Sequence, residues 1–361
     1  MKQIITNNPN GYNEKRNIFS RYTANFVYKK DVFDLGLKIA HKLTQKGYQP
    51  FWKGLYYNIK DQNTECVFFN TINLGKNPWR VYFETKLPRL GKAPKFVYDM
   101  AVKRLVKDNC KEIIAISHCT YNLQLEYIKS TYPKYYDVIK EKMVIKLPPQ
   151  RPLIEDYSEK LLSQEKIVFT LVGADFFRKG GKEILQVVNE LIPLFPQIQL
   201  NIVSSLNYGD YASRTTKDDC NESLQMIQKN HKNICHYISL PNSEVLELFK
   251  NSHVGLLPTW ADSFGYSVLE AQAAGCPVIT TDIRALPEIN NDELGWIIKV
   301  QKNNSNDADI SSQEKREIFS EKLQNKLFMI IIEILNNPDM IKEKGIKCLS
   351  QLKIKYETSL S

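Results

Sequence analysis

Two acidic residues, Asp262 and Glu270, stand out because the segment around them is otherwise apolar or built from small side chains. Glu270 lies in a predicted helix from about Ser267 to Ala274 that is apolar nearly all round, so the helix should be buried together with its carboxylate. A buried carboxylate is costly unless it accepts hydrogen bonds, and two hydroxyls of a sugar or ribose would supply them. The simpler alternatives are that Asp262 or Ser263 only caps the helix and that Glu270 pairs with a lysine.

The spacing of these carboxylates favours binding over hydrolysis. On one helix, eight residues correspond to about 12 Å of rise, whereas hydrolytic glycosidases hold their two carboxyls ~5 to 9.5 Å apart around one bond. The pair Asp262 and Glu270 is therefore better suited to holding opposite ends of an extended ligand.

A second segment, VGADFFRKGG, places Arg178 and Lys179 side by side in a loop that follows a predicted strand. Adjacent cations followed by two glycines, which let the backbone approach closely, are suited to a diphosphate. A pair of solvated surface cations is the simpler alternative. Both segments follow predicted strands, and open α/β sheets bind ligands at the carboxyl ends of strands, beside helix N-termini.

Short apolar runs alternate with helical patterns along the chain, which predicts an α/β fold class with parallel sheets covered by helices. A predicted helix runs through Val32, Leu35, Ile39 and Leu43. With 361 residues and a proline-rich stretch, PPQRP, near residue 150, we expect two domains. The predicted strands are 2–6, 66–70, 80–84, 112–117, 143–147, 166–172, 199–204, 234–240, 253–258, 276–281 and 296–300.

Charge is distributed unevenly between the two halves of the chain. Residues 1–150 carry 26 Lys and Arg against 12 Asp and Glu, a net +14, while residues 151–361 carry 23 against 28, a net −5. A basic half rich in aromatic residues would face an anionic membrane surface, a phosphorylated acceptor or nucleic acid. A solvated lysine-rich surface is the simpler alternative.

Several classes of protein are disfavoured by the same sequence. The longest uninterrupted apolar run has six residues, 327–332, against the ~20 needed to span a bilayer, and the first residues turn polar too early for a secretory signal. Seven cysteines without a C-x-x-C pair predict reduced thiols in a cytoplasmic protein. No G-x-G-x-x-G follows either opening strand, so a nicotinamide dehydrogenase is disfavoured.

The segment from Asp262 to Glu270 resembles the E-x7-E motif of GT4-type glycosyltransferases, and EAQAAGCPVITTDIRALPEI is similar to the run that follows that motif in the family. VGADFFRKGG is similar to the family's phosphate loop. The resemblance implies the GT-B fold, with two Rossmann-like domains facing each other across a cleft. It further implies an acceptor domain at 1–150, a nucleotide-sugar donor domain at 151–344, and a C-terminal helix at about 345–361 that returns to the first domain.

By this resemblance, Arg178, Lys179 and Asp262 form the catalytic group: the two cations neutralise the donor diphosphate, and Asp262 holds the transferred sugar. Glu270 takes the ribose hydroxyls. The donor-binding positions that the resemblance implies are Gly173, Leu240, Phe264, Gly265, Tyr266 and Glu270. On the acceptor side, Gly11 stands where a Gly-Gly loop is usual, and His118 is expected to face the cleft.

The resemblance implies retaining transfer of a hexose from a nucleoside diphosphate sugar to a glycan or lipid-linked acceptor, without metal or other cofactor. Through the basic first domain we expect peripheral contact with an anionic membrane on its cytoplasmic face, and we expect no nucleic acid. The nucleotide base, the sugar and the acceptor stay open. A sugar-nucleotide epimerase or hydrolase and a catalytically silent nucleotide-sugar-binding protein are the alternatives.

Overall fold

The structure is a computed structural model that describes residues 2–8, 10–33, 36, 51–160, 162–163 and 165–360. It divides into two compact units, Met1–Pro149 and Gln150–Ser359. Most of the predicted helix through Val32, Leu35, Ile39 and Leu43 lies outside the described residues. No helix among the described residues is both long enough and apolar enough to cross a bilayer.

The first unit contains two parallel sheets. Its strands are β1 (Gln3–Ile5), β2 (Asn25–Val27), β3 (Leu55–Tyr56), β4 (Cys66–Phe69), β5 (Ile72–Asn73), β6 (Trp79–Phe83), β7 (Cys110–Ala115) and β8 (Met143–Ile145). Six of them form a sheet in the order β2-β1-β4-β6-β7-β8, and β3 pairs with β5. The described helices are α1 (Tyr12–Glu14, continued by a π-helical turn at Lys15–Phe19), α2 (Lys95–Leu105), α3 (His118–Thr131) and α4 (Tyr136–Lys142).

The second unit contains one six-stranded parallel sheet. Its strands are β9 (Ile167–Val172), β10 (Ile198–Val203), β11 (Ile234–Tyr237), β12 (Val254–Leu257), β13 (Val278–Thr281) and β14 (Gly295–Ile298). Its helices are α5 (Gly181–Leu191), α6 (Lys217–Lys229), α7 (Asn242–Lys250), α8 (Tyr266–Ala273), α9 (Leu286–Ile289), α10 (Gln313–Asn336) and α11 (Asp339–Leu360). The strand order is β11-β10-β9-β12-β13-β14, which is the Rossmann order 3-2-1-4-5-6.

The composition of the strands explains why they occupy the interior of their units. β10 (IQLNIV) and β12 (VGLL) are buried along their whole length. Parallel strands covered on both faces need apolar side chains pointing in both directions, and these runs supply them. α8 is buried nearly all round, as its Val, Leu and Ala content predicts.

The first part of the C-terminal helix packs on the second unit. Gly345 packs so closely that a Cβ there would lie 2.3 Å from the Tyr157 ring and 2.5 Å from the Gly275 carbonyl oxygen. Cys348 lies with its Sγ 3.0 Å from the Leu294 carbonyl oxygen. All these partners belong to the second unit, so α11 packs within that unit at Gly345 and Cys348. The return of residues 345–361 to the first domain stays a prediction.

Candidate functional site

The predicted phosphate loop and the predicted acidic segment meet at the centre of the second sheet. β9 and β12 are neighbours, with Leu171 opposite Leu256, and the strand order reverses between them. The segment that follows β9 begins at Gly173, and the segment that follows β12 begins at Pro258. In open α/β sheets this switch point, outside the carboxyl ends of the strands, is where ligands bind.

Backbone and side-chain hydrogen bonds of Arg178 join the two segments. Its carbonyl oxygen accepts from the Trp260 amide at 2.9 Å and from the Thr259 hydroxyl at 2.8 Å. Its guanidinium donates to the Ala261 carbonyl at 2.6 Å. The chain therefore holds the two segments in one arrangement by bonds that need no ligand.

The guanidinium of Arg178 also forms an ion pair with Asp175. Burial works to lower the pKa of Arg178, but the hydrogen bond and charge of Asp175 outweigh it and leave this pKa raised. Asp175 lies three residues before Arg178 in the same loop and was not among the predicted residues.

Lys179 pairs with Asp262, and this ion pair is the direct link between the two predicted segments. The Lys179 side chain is 14% exposed and that of Asp262 is 11% exposed. Burial alone would raise the pKa of Asp262, but the charge of Lys179 and hydrogen bonds from Lys179 and the Phe264 amide lower it. Asp262 is therefore anionic near neutral pH, and the two residues form a charge-balanced pair.

Gly173 makes room for the aliphatic part of Lys179. A Cβ at position 173 would lie 3.1 Å from Lys179 Cγ and 3.3 Å from its Cε. The glycine that ends the strand thus lets Lys179 lie across the backbone on its way to Asp262.

Asp262 lies in the loop before α8 and not on the helix. Its Oδ1 accepts hydrogen bonds from the amides of Phe264 and Gly265, both at 3.1 Å, and α8 begins at Tyr266 after a left-handed Gly265. The estimate of about 12 Å of helical rise between Asp262 and Glu270 therefore does not apply. Two of the backbone amides that we expected at the sugar are already bonded to Asp262, and the side chain of Phe264 is fully buried.

The glycines at positions 180 and 181 approach protein atoms closely. Gly180 has φ +81, and a Cβ there would lie 2.2 Å from the Pro258 carbonyl oxygen. At Gly181 a Cβ would lie 2.2 Å from the Phe176 ring. These glycines therefore have a packing role, in which they let α5 begin directly beside the loop after β12. That they also let a diphosphate approach stays a prediction.

Glu270 is 3% exposed, and Asn242 donates a hydrogen bond to its Oε1 at 3.0 Å. One partner of the Glu270 carboxylate is thus the side-chain amide of Asn242. Asn242 begins α7, two residues after the half-buried Leu240. The two residues predicted to contact the nucleoside, Leu240 and Glu270, are therefore linked through Asn242.

In the first unit, Gly11 and His118 occupy different settings. Gly11 is buried at the start of α1, and a Cβ there would lie 1.9 Å from Glu14 Oε2. His118 is exposed at the first position of α3, where the Ser117 hydroxyl accepts a hydrogen bond from the Thr120 amide at 3.0 Å. Both residues follow strands of the first sheet, after β1 and β7.

The described residues contain no cluster of three His, Cys, Asp or Glu side chains arranged to hold a metal ion. The carboxylates of a D-x-D triplet at 307–309 are held in ion pairs: Asp307 pairs with Arg284, and Asp309 pairs with Lys315. All seven cysteines are free thiols.

Sequence reasoning missed another buried carboxylate beside the site. Glu183, in the first turn of α5, accepts hydrogen bonds from the Ser320 hydroxyl at 2.7 Å and the Trp260 indole at 3.3 Å. Burial raises its pKa. Its place in an apolar helical face, between Gly181 and Ile184, was the available signal.

Comparison with known proteins finds a family similarity within the second unit. Residues 154–327 match the family model of glycosyl transferases group 1. Two curated relatives match part of the chain: an uncharacterized 41.2 kDa protein in the cps region of Klebsiella pneumoniae, 27% identical over 42% of this chain, and the capsular polysaccharide biosynthesis glycosyltransferase CapM of Staphylococcus aureus, 26% identical over 40%. The matches span 38% and 36% of the two relatives, so the chain covers less than half of their length.

Solved structures extend the likeness to the whole chain. The Anabaena protein HepE in complex with UDP has a TM-score of 0.59 at 11% identity, covering all of this chain and 97% of its own. A glycosyltransferase from Rickettsia africae has a TM-score of 0.57 at 14% identity, covering all of this chain and 96% of its own. The chain thus has the GT-B fold, and its residues 154–327 carry a domain similar to the glycosyl transferases of group 1.

Proposed function

We propose that the protein is a GT4-type glycosyltransferase that moves a hexose from a nucleoside diphosphate sugar to a glycan or lipid-linked acceptor. The observation that carries this proposal is the buried pair of Lys179 and Asp262 at the switch point of the second sheet, directly before α8. The Anabaena protein HepE, which has the same fold, binds a nucleoside diphosphate, UDP.

The donor diphosphate is received by Lys179 and the start of α8. A helix N-terminus carries a partial positive charge and favours an anion. In the described structure the charge of Lys179 is neutralised by Asp262. An incoming diphosphate therefore replaces the Asp262 carboxylate as the partner of the Lys179 ammonium group. Asp262 is then released to accept hydrogen bonds from the hydroxyls of the sugar. Arg178 keeps its bonds to Ala261 and Asp175 and holds the loop beside the diphosphate.

The nucleoside extends from the diphosphate toward Glu270. A buried carboxylate that a side-chain amide already orients is suited to accepting hydrogen bonds from the ribose hydroxyls. The base then lies near Leu240, beside the start of α7.

Transfer proceeds with retention and without metal in this proposal. The bond between the anomeric carbon and the diphosphate oxygen breaks, and the acceptor oxygen bonds to that carbon on the same face. The acceptor hydroxyl gives its proton to the departing phosphate. Fixed positive charge from Lys179 and the helix N-terminus stabilises the charge that develops on the leaving group. Chelators should therefore leave turnover unchanged.

Two alternatives use the same donor site. An epimerase or hydrolase turns over the nucleotide sugar without a glycan acceptor, and a silent binding protein does not turn it over at all. Product analysis with and without acceptor separates the three. A contact between the basic first unit and an anionic membrane on the cytoplasmic side belongs to the same proposal.

The donor site is tested by thermal shift with a panel of nucleoside diphosphates and nucleotide sugars, since a specific ligand stabilises the folded state by mass action. We expect at least one nucleotide to raise the melting temperature of the wild type, and Lys179→Ala to weaken its binding at least tenfold. Lys182→Ala is the matched control, because Lys182 lies three residues further on and pairs with Asp219. Equal nucleotide affinity in wild type and Lys179→Ala would contradict the proposed site.

A further inference from the structure

A cavity of about 810 Å³ lies in the first unit beside the carboxyl ends of β1, β4 and β6. The strand order of this sheet turns at β1, with β2 on one side and β4 on the other. The cavity therefore occupies the switch point of its own sheet, which is where a doubly wound fold binds ligands. Its polar lining includes residues that directly follow the three strands: Asn7, Asn70, Thr71 and Glu84.

Glu14 is the most deeply buried charged group of this lining. It is 5% exposed and lies against Gly11, where any side chain would collide with its carboxylate. Burial raises the pKa of Glu14, its own backbone amide opposes that effect, and the nearby charge of Glu84 adds to it. Among the residues that the structure describes, Glu84 pairs with Arg89, whereas Glu14 has no Lys or Arg within ion-pair distance.

Asn70 presents a second acceptor to the cavity. Its Oδ1 is buried and has no hydrogen-bond partner within the described part of the chain, while its Nδ2 lies 3.5 Å from Glu84 Oε1. Its backbone is left-handed, with φ 54. A buried acceptor without a donor costs free energy, so the Asn70 oxygen is set to receive a donor from a ligand.

The rings of Tyr12 and Tyr28 complete the lining, and each is 43% exposed. Ligand sites combine such aromatic surface with a few polar groups that fix orientation. A sugar ring offers both matching features, since its faces carry C–H groups and its rim carries hydroxyl donors.

Local charge here opposes the charge of the whole unit. Residues 1–150 carry a net +14, yet the charged groups lining the cavity are three carboxylates, those of Glu14, Asp31 and Glu84, against two cations, Lys53 and Arg89. Glu14 is the most buried of these five. A phosphate or carboxylate placed against Glu14 would be repelled, whereas a hydroxyl or an ammonium group would be attracted.

We propose that this cavity, which lies in the domain that the resemblance gives to the acceptor, admits only an uncharged or amine-bearing acceptor sugar, because Glu14 repels anionic ones. The proposal rests on the proposed glycosyl transfer and deepens it by naming the acceptor class. Any phosphate or lipid diphosphate of the acceptor then lies outside the cavity.

The test is binding of the full chain to a glycan array that carries neutral, amine-bearing, phosphorylated and uronic-acid oligosaccharides. We expect binding to neutral or amine-bearing glycans, a loss of at least tenfold in Glu14→Ala, and substantial retention in Glu14→Gln, whose Oε1 still accepts a hydrogen bond. Because Glu14 forms no ion pair with any described residue and Gln has nearly the same shape, the melting temperature of Glu14→Gln should stay close to that of the wild type. Binding confined to phosphorylated or uronic-acid glycans, unchanged binding in Glu14→Ala, or no binding to any glycan would overturn the proposal.

Nucleotide binding measured on the same samples separates this proposal from the proposed function. If nucleotides bind and glycans do not, the acceptor cavity is wrong and the donor site stands. If glycans bind in a Glu14-dependent way and no nucleotide does, the assignment of glycosyl transfer is wrong while the sugar-binding cavity stands.

Discussion

At the scale of single residues, the candidate donor site depends on the path of one lysine side chain. Lys179 reaches Asp262 by crossing Gly173, where a Cβ would lie 3.1 Å from Lys179 Cγ. That distance is short enough to displace the lysine but involves a flexible side chain, so the fold should tolerate a methyl group there. Gly173 therefore serves the site more than the stability of the strand.

We predict that Gly173→Ala weakens nucleotide binding about three- to tenfold and shifts the melting temperature by only a few degrees, because a displaced cation changes binding while most substitutions outside a core change stability little. Nucleotide titration of the wild type, Gly173→Ala, Lys179→Ala and the double variant measures this. Since Gly173 acts through Lys179, the double variant should bind no more weakly than Lys179→Ala alone. Fully additive losses would show that Gly173 acts independently of the lysine.

The sequence predicted which residue types the site contains better than how they are bonded. The pairing of an acidic segment with a cationic one was predictable from their places after two strands. The bond between Lys179 and Asp262 was not, because spacing along a chain does not determine which side chains meet across a sheet. Asn242 was missed for the same reason: it reaches Glu270 from another helix, 28 residues earlier.

At the scale of elements, the start of α5 is set by a glycine that no other residue can replace. Gly180 combines a left-handed φ of +81 with a contact in which a Cβ would lie 2.2 Å from the Pro258 carbonyl oxygen. Gly209 has the same φ of +81 but nothing within 4 Å of an added Cβ. An alanine at position 209 would therefore cost only backbone strain, whereas an alanine at position 180 would cost the same strain and also the collision with Pro258.

We predict that Gly209→Ala lowers the free energy of unfolding by about 1 to 2 kcal/mol, the cost of a left-handed backbone in a non-glycine residue. Gly180→Ala should cost more by at least ~1 kcal/mol and should also weaken nucleotide binding, since it must push the loop after β9 away from Pro258. Denaturant titration of both variants measures the difference. Equal losses of stability would mean that the contact with Pro258 relaxes freely.

The elements themselves were largely predictable, within limits set by their length. The eleven predicted strands all overlap observed ones, because buried parallel strands are continuous apolar runs that stand out between turns. The short strands β2, β3 and β5 were missed, since two or three residues carry too little pattern to be distinguished from a loop. The packing of α11 depends on Gly345 meeting Tyr157 and Gly275, a contact between distant segments that periodicity does not encode.

At the scale of the whole molecule, charge separates the two units: a net +14 in residues 1–150 and a net −5 in the rest. The outer face of α2 adds an apolar group to that basic unit. Phe96 is 71% exposed and Met100 is 39% exposed. Met100 lies four residues after Phe96, and Lys103 lies three residues after Met100. Residues three or four apart are neighbours on a helix surface, so all three lie on one face. Apolar and cationic side chains on one helical face suit the surface of an anionic bilayer.

We therefore predict that the chain co-floats with vesicles rich in phosphatidylserine and not with vesicles of phosphatidylcholine alone, and that binding falls as salt rises and the Debye length shrinks below ~10 Å. Phe96→Ser with Met100→Ser should reduce binding several-fold, because the apolar contact is lost while the charge stays. Leu194→Ser is the matched control: Leu194 is 68% exposed but lies in the acidic second unit. Two outcomes would contradict this prediction: Leu194→Ser weakens flotation as much as the α2 variant, or flotation does not depend on the salt concentration. In either case the basic unit would not face the membrane, and its lysines would form only a solvated surface.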